Sequence, residues 1–493
     1  MNTTKKTLMA AVMAVGIIAA GGQGVAYAAP VAPTAQPPVN HGNGTNNDSG
    51  AVGGTHTATQ ATGGIATNND TGFHNNQTAT ANHNGVATNI DSGSMNNDIA
   101  SANHSGSALN TISGSNGRNT VQADNSGTAT NTDSGTGNTN SVTANHSSAV
   151  TNSTSGSSNN TSTSADNSSS AEQFVNGSNN KATTTANNNS TSDPVFGSAG
   201  ALTEVFGSNN TVTNSANTNS GSDALVNGGQ NTLNVNATNS GTAVGIAEGV
   251  GSAGGFGNQV SVTGNNGAAG GEAIGNSNRV NASATNTNVA PGGTNGFAAS
   301  TALGNGNNVS AVASGANTAG TLGSGATSIA AGNNNTVRTS ASGGGQATGT
   351  VNPAGANVAA NNNTVTATAT TAGTATATVT QGNANSATAT ASHSGVATAT
   401  VDSGNSSSAT SIADGVGSSA TSEAAASSTA SARASGGGTA SATATLPSST
   451  ATAYALGSGA SATASQTTAG TGTSTCSVGV THAATSGGSS CTG

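Results

Sequence analysis

Trp is absent from this chain of 493 residues, Tyr and Phe number only two and six, and charged residues make up 5%. Large side chains stabilise a globular core by roughly 1.5–3 kcal/mol each when buried. Here they are too few to offset a backbone entropy cost of ~1–2 kcal/mol per residue. An enzyme domain of ordinary packing is thereby excluded. The 32% of hydrophobic residues is mostly Ala, and Gly, Ser, Thr and Asn supply most of the remainder. Two architectures fit: a disordered low-complexity chain, or a repeat whose backbone is satisfied by strand ladders.

Basic residues are also scarce. Beyond Lys5 and Lys6 there are only Arg118, Lys181, Arg279, Arg338 and Arg433, against 16 acids. No basic patch exists for nucleic acid or an anionic membrane. Residues 1–28 read as a secretory signal peptide. Lys5 and Lys6 begin it, Leu8 to Ala20 is the apolar region, and Ala26-Tyr27-Ala28 is the cleavage site before Ala29. No later apolar run approaches the ~20 residues of a transmembrane helix. The expected location is therefore secreted or cell-surface. Cysteine is limited to Cys476 and Cys491, which in an exported chain are expected to form a disulfide. Closing their short loop contributes on the order of 3 kcal/mol and staples a C-terminal tail, 471–493.

What the chain has is repetition. After a Pro-containing linker, 29–49, glycines recur at Gly72, Gly93, Gly114, Gly135, Gly156 and Gly177, always 21 residues apart. Within this regular region, 50–194, the same unit position is Ala in all six repeats: Ala81, Ala102, Ala123, Ala144, Ala165 and Ala186. Biased composition does not produce register. A second region, 195–470, repeats G-x-x-N-x-V/L from Gly207, Gly228, Gly255, Gly275, Gly304 and Gly332, with related forms at Ala360, Gly382, Gly404 and Gly457. From Gly207 to Gly404 the spacings are 21, 27, 20, 29, 28, 28, 22 and 22, so the middle coils carry insertions.

Each unit has two turn signals, G-x-x-N and N-x-S-G, in which Gly supplies positive φ and Asn tolerates it. Between them run alternating segments such as Thr374-Ala375-Thr376-Ala377-Thr378. Period-two alternation between closely spaced turns predicts strands. The expected fold is all-β: an elongated parallel β-solenoid of ~21-residue coils, with longer coils of 27–29 residues in the middle. Ala and Val should point inward, with Thr and Ser outward. The six alanines should form one inward column, and Asn75, Asn96, Asn138, Asn159 and Asn180 an amide ladder.

Ala453-Tyr454-Ala455-Leu456-Gly457-Ser458-Gly459-Ala460, with Thr301-Ala302-Leu303-Gly304 and Glu272-Ala273-Ile274-Gly275, resembles the head repeat of YadA-type trimeric autotransporter adhesins. The resemblance spans roughly Val195 to Ser465 and implies a left-handed parallel β-roll. The G-x-x-N core is also similar to curlin repeats of bacterial surface amyloid. Gln381-Gly382-Asn383-Ala384-Asn385 carries the Gln those repeats use.

No enzyme chemistry stands out. Gly249-Val250-Gly251-Ser252-Ala253-Gly254 matches G-x-G-x-x-G, but no helical pattern follows it, and it reads as a turn. His83, His104 and His146 share a unit position where other coils carry Asn. They read as exposed turn residues, stacked ~4.8 Å apart. Asp48, Asp70, Asp91, Asp133 and Asp402 precede turn glycines. One carboxylate per coil falls short of the 6–8 oxygens of a calcium site. No cofactor and no metal site is expected. The function read from this pattern is that of a secreted, repetitive structural or adhesive surface protein. It would engage a surface, glycan or matrix ligand through many repeated contacts. The alternatives are a self-associating, amyloid-like matrix protein and an ice-binding protein presenting T-A-T rows.

Overall fold

The computed structural model describes the strands and most corners between residues 45 and 492. Segments 1–44, 188–198, 249–256, 287–295, 316–323, 353–361, 403–407 and 467–473 lie outside the described residues, with shorter corner pieces. The signal peptide and nearly all of the linker therefore fall outside them. Alternation dictates the rest. The described residues form forty strands, from Asn46–Asp48 to Gly488–Thr492, arranged as two sheets of 20 strands.

Successive strands enter the two sheets in turn, so one coil contributes one strand to each. Sheet A begins with Asn46–Asp48 and sheet B with Val52–Thr59. Every coil pairs in parallel with the next, like position on like position. Ala102 pairs with Ala123, Ala123 with Ala144, Ala144 with Ala165, and Ala165 with Ala186. This is the parallel β-solenoid that the spacing predicts, without helices among the described residues. Within the stretch read as linker, Asn46–Asp48 already pairs with Asn68–Asp70.

Arg118–Ala123 shows how the pattern sorts side chains. Exposed and buried residues alternate along it, ending on Ala123. Ala81, Ala102, Ala123, Ala144, Ala165 and Ala186 are all fully buried. Their column continues through Ala216 and Ala237 in the same register. The longer coils keep this register too. Leu233 pairs with Val260, Val280 with Val309, and Val337 with Val365. Their extra residues fall in the corners, so strand pairing is undisturbed. One further long coil, hidden at the junction of the two sequence regions, sets Ala171 against Ala201.

The interior differs from the expectation of Ala and Val throughout. In sheet A one inward column reads Asn68, Asn89, Asn110, Asn131, Asn152, Gln173 and Thr203, all buried. It turns to Ala224, Gly245, Gly271, Ser300, Ser328 and Gly349, and then to Ala377 and Ala399. A buried amide is costly unless hydrogen-bonded, and stacking supplies the bond. Nδ2 of Asn89 donates to Oδ1 of Asn68 at 2.9 Å, Asn131 to Asn110 at 2.9 Å, and Asn152 to Asn131 at 2.7 Å. The polar half of the core is thus an amide ladder one coil per rung. Identical neighbours make it possible.

In the middle coils the complement is steric. A Cβ on Gly245 would lie 2.9 Å from Val262 Cγ2, one on Gly271 2.9 Å from Val280 Cγ1, and one on Gly349 2.8 Å from Val365 Cγ1. The valines of sheet B fill the space the glycines of sheet A leave. At the C-terminal end the direction reverses. Thr481–Thr485 runs antiparallel to Ser474–Val478 in sheet B, and Gly488–Thr492 antiparallel to Ser461–Gln466 in sheet A. Cys476 lies on the first of these pairs and Cys491 on the second, but the cysteine side chains, and so their bonding, are outside the described residues.

The inward column invites a paired substitution. Ala123→Asp places an unpaired carboxylate between two sheets and should cost at least ~3 kcal/mol locally. Gln122→Asp, one residue earlier and exposed, should be nearly silent. Limited proteolysis should show new cleavage between residues 114 and 134 in the first variant only. Equal behaviour of the two would contradict the register.

Candidate functional site

A pocket is not what repetition builds. The parts of this molecule able to meet another are its two corners and its two outer faces, and each is defined by a column of like residues.

The corner from sheet A to sheet B carries the G-x-x-N signal. Its glycines lie under the neighbouring coil. Gly177 N–H donates to the Phe206 carbonyl at 2.8 Å and Gly207 N–H to that of Asn227 at 2.8 Å. A Cβ on Gly207 would lie 1.4 Å from the Gly177 carbonyl oxygen, and φ there is +142°. No other residue fits. Gly156 also has positive φ; Gly72, Gly93, Gly114 and Gly135 lie outside the described residues. The motif's asparagines, from Asn210 through Asn231, Asn258, Asn278, Asn307, Asn335 and Asn363 to Asn385, are all buried. From Asn210 to Asn363, each backbone N–H donates to the side-chain oxygen of the next coil's Asn. Asn258 reaches Asn278 at 2.9 Å, Asn278 reaches Asn307 at 2.8 Å, and Asn307 reaches Asn335 at 2.8 Å. The bonds span 21, 27, 20, 29, 28, 28 and 22 residues in turn, following the motif spacing. At this motif position, from Asn210 onward, the ladder runs from backbone to side chain rather than from amide to amide. Of its first members, Asn96 is buried, while the side chains of Asn75, Asn138, Asn159 and Asn180 are not described.

The opposite corner carries the histidines. His83 and His104 adopt φ of 62° and 59°, the left-handed conformation that His and Asn enter more readily than most residues. Their rings stack with centroids 4.9 Å apart and planes 11° from parallel. His393 occupies the matching corner of a later coil with φ 55°; His146 is outside the described residues. Among the described residues no three His, Cys, Asp or Glu side chains converge on one point. Asp402 is an exposed corner residue whose N–H donates to the Val379 carbonyl at 2.9 Å, and the side chains of Asp48, Asp70, Asp91 and Asp133 are not described. The stretch from Gly249 to Gly254 also lies outside the described residues.

The outer faces carry a division that spacing did not reveal. Arg118, Lys181, Arg279, Arg338 and Arg433 all lie on strands of sheet B and are all exposed. Five consecutive strands of sheet A each carry one outward acid: Glu172, Glu204, Asp223, Glu248 and Glu272. Apolar side chains alternate with them. Leu202 pairs in register between Glu172 and Asp223, and Leu225 and Ile246 stand between Glu204 and Glu272. Crowding leaves a mark on one acid. Burial, and secondarily the charge of Glu172, pushes the Glu204 carboxyl above its usual range.

Two tests follow from these columns. Asn307→Ala strands the buried N–H of Asn278 and should cost about 1–3 kcal/mol, read as a lower urea midpoint at unchanged slope. At Glu204 the folded chain holds the proton more tightly than the unfolded chain. Stability therefore falls as pH rises from the usual carboxylate range through the raised folded value. Glu204→Gln should melt higher than the parent at neutral pH and match it at acid pH, where both states carry the proton. A higher parent melting point at neutral pH would reverse this assignment.

No family model, no curated protein and no solved structure matches this chain, so its faces and corners are the ground on which function is argued.

Proposed function

We propose that this structural repeat protein is exported and acts as an adhesive surface or matrix component, binding through many weak contacts along its outer faces. The observation that carries the reading is in-register repetition of polar side chains. On sheet A, Thr348, Thr376, Thr398, Thr421, Ser441 and Thr463 form one outward column. On sheet B, Thr366, Thr388, Thr410, Ser431 and Thr452 form another. A ligand that is itself periodic, such as a polysaccharide, meets the same hydroxyl roughly every 4.8 Å. Linked weak sites then raise overall affinity by ~10²–10⁴. The resemblance to adhesin head repeats favours the same reading.

The alternatives draw less support. Amyloid-like growth needs open strand edges that repeat the parallel register, and the last strand of each sheet at the C-terminal end runs antiparallel to the stack. Ice binding needs an unbroken flat plane. The hydroxyl ranks are interrupted by Glu423 on sheet A, and by Ile412, Arg433 and Tyr454 on sheet B, with the Arg433 guanidinium lying over the Tyr454 ring.

Exported protein whose N-terminus reads Ala29 by mass spectrometry should be passed over immobilised polysaccharides at graded density. Dissociation should slow at least about tenfold as ligand density rises. Binding that is independent of density, or absent from every polysaccharide, would overturn the proposal.

A further inference from the structure

The two outer faces are complementary, and they are complementary on the same coils. Lys181 begins the sheet B strand of the coil whose sheet A strand carries Glu172. Arg279 begins the sheet B strand of the coil whose sheet A strand carries Glu272. Between them lie the three coils of Glu204, Asp223 and Glu248. The outer face of sheet B over these coils is otherwise Thr, Ser, Asn and Gln: Thr211, Thr213, Thr232, Asn234, Gln259 and Ser261. The five sheet B strands of these coils carry no carboxylate. Acids and cations of one molecule thus point away from each other, separated by the thickness of the core.

We infer that the outer face of sheet A docks on the outer face of sheet B of a second copy of this chain. With the two copies parallel and unshifted, Lys181 and Arg279 of one copy fall over the two ends of the acidic patch of the other. Phe174, Leu225, Ile246 and Ile274, outward between the acids, meet the methyl groups of the threonines. Five coils present a face of about 500 Å², at ~4.8 Å per coil and ~3.3 Å per residue. A stable interface takes ~800 Å² per partner, which adjoining coils of the same stack supply. Because the two faces differ, the contact is heterologous and leaves one face of each kind open. Assembly continues beyond a dimer into a layered stack. The antiparallel C-terminal strands do not oppose this, since growth is lateral. The inference does not depend on whether the solenoid is adhesive.

The test is a charge exchange on the full chain, read by sedimentation, with far-UV circular dichroism to establish that each variant keeps its strands. The parent should form oligomers larger than dimers as concentration rises. The double variant Lys181→Glu/Arg279→Glu should associate at least about tenfold more weakly, and so should Glu248→Lys/Glu272→Lys. An equimolar mixture of the two should recover association, because each supplies the face the other has lost. A parent that stays monomeric overturns the inference. So does association unchanged by either reversal, or a folded pair that fails to recover on mixing.

Discussion

The parallel backbone ladder between one coil and the next is the interaction on which everything else depends. It sets each residue beside the residue one repeat later, at ~4.8 Å, so a repeat in sequence becomes a column in space. A column of one residue type then solves problems that a single residue could not. Stacked asparagines satisfy each other inside the core, as Asn89 does with Asn68 and Asn152 with Asn131. At the corner the next coil's Asn side chain takes the place of a missing ladder partner. Small side chains suffice because the two sheets approach closely, and glycines of one sheet admit valines of the other.

Stability of this kind is a sum over neighbours, which changes what a substitution does. A change at Gly207 forces a side chain into the carbonyl of the adjacent coil, so its effect is local but severe. A change on an outer face touches no ladder. The outer faces are therefore free to differ along the molecule, and they do. Hydroxyl columns dominate toward the C-terminus, while acids interleaved with Leu, Ile and Phe occupy sheet A in the middle coils. The same scaffold offers a repetitive polar surface and a charged one.

Much of the fold was legible in the residues. Glycines 21 residues apart and alanines in one unit position imply coils of constant rise. Spacings such as 29 and 28 reappear as the spans of the corner hydrogen bonds. Less legible was the filling of the core. Asn68, Asn89 and Asn110 sit in polar strings where alternation alone reads them as surface, since hydropathy prices an amide without its ladder partner. The pairing of Asn46–Asp48, amid a Gly- and Asn-rich stretch, is hard to read for another reason. A strand of three residues carries no alternation to detect.

By itself the sequence determined the repeat length, the inward alanine column, the turn chemistry of Gly and Asn, and the exclusion of a large-residue core. The first three are relations between residues one repeat apart and the last is composition, and both are visible in one dimension. Which sheet a given strand joins is not. Arg118, Lys181, Arg279, Arg338 and Arg433 are scattered along the chain at unequal distances, across coils of several lengths. Only the closure of each coil, with its extra residues taken up in the corners, brings all five to sheet B and turns Glu172 through Glu272 the other way. The tertiary structure decided the charge of the two faces, because the side of the solenoid a residue occupies depends on the path of the whole coil before it.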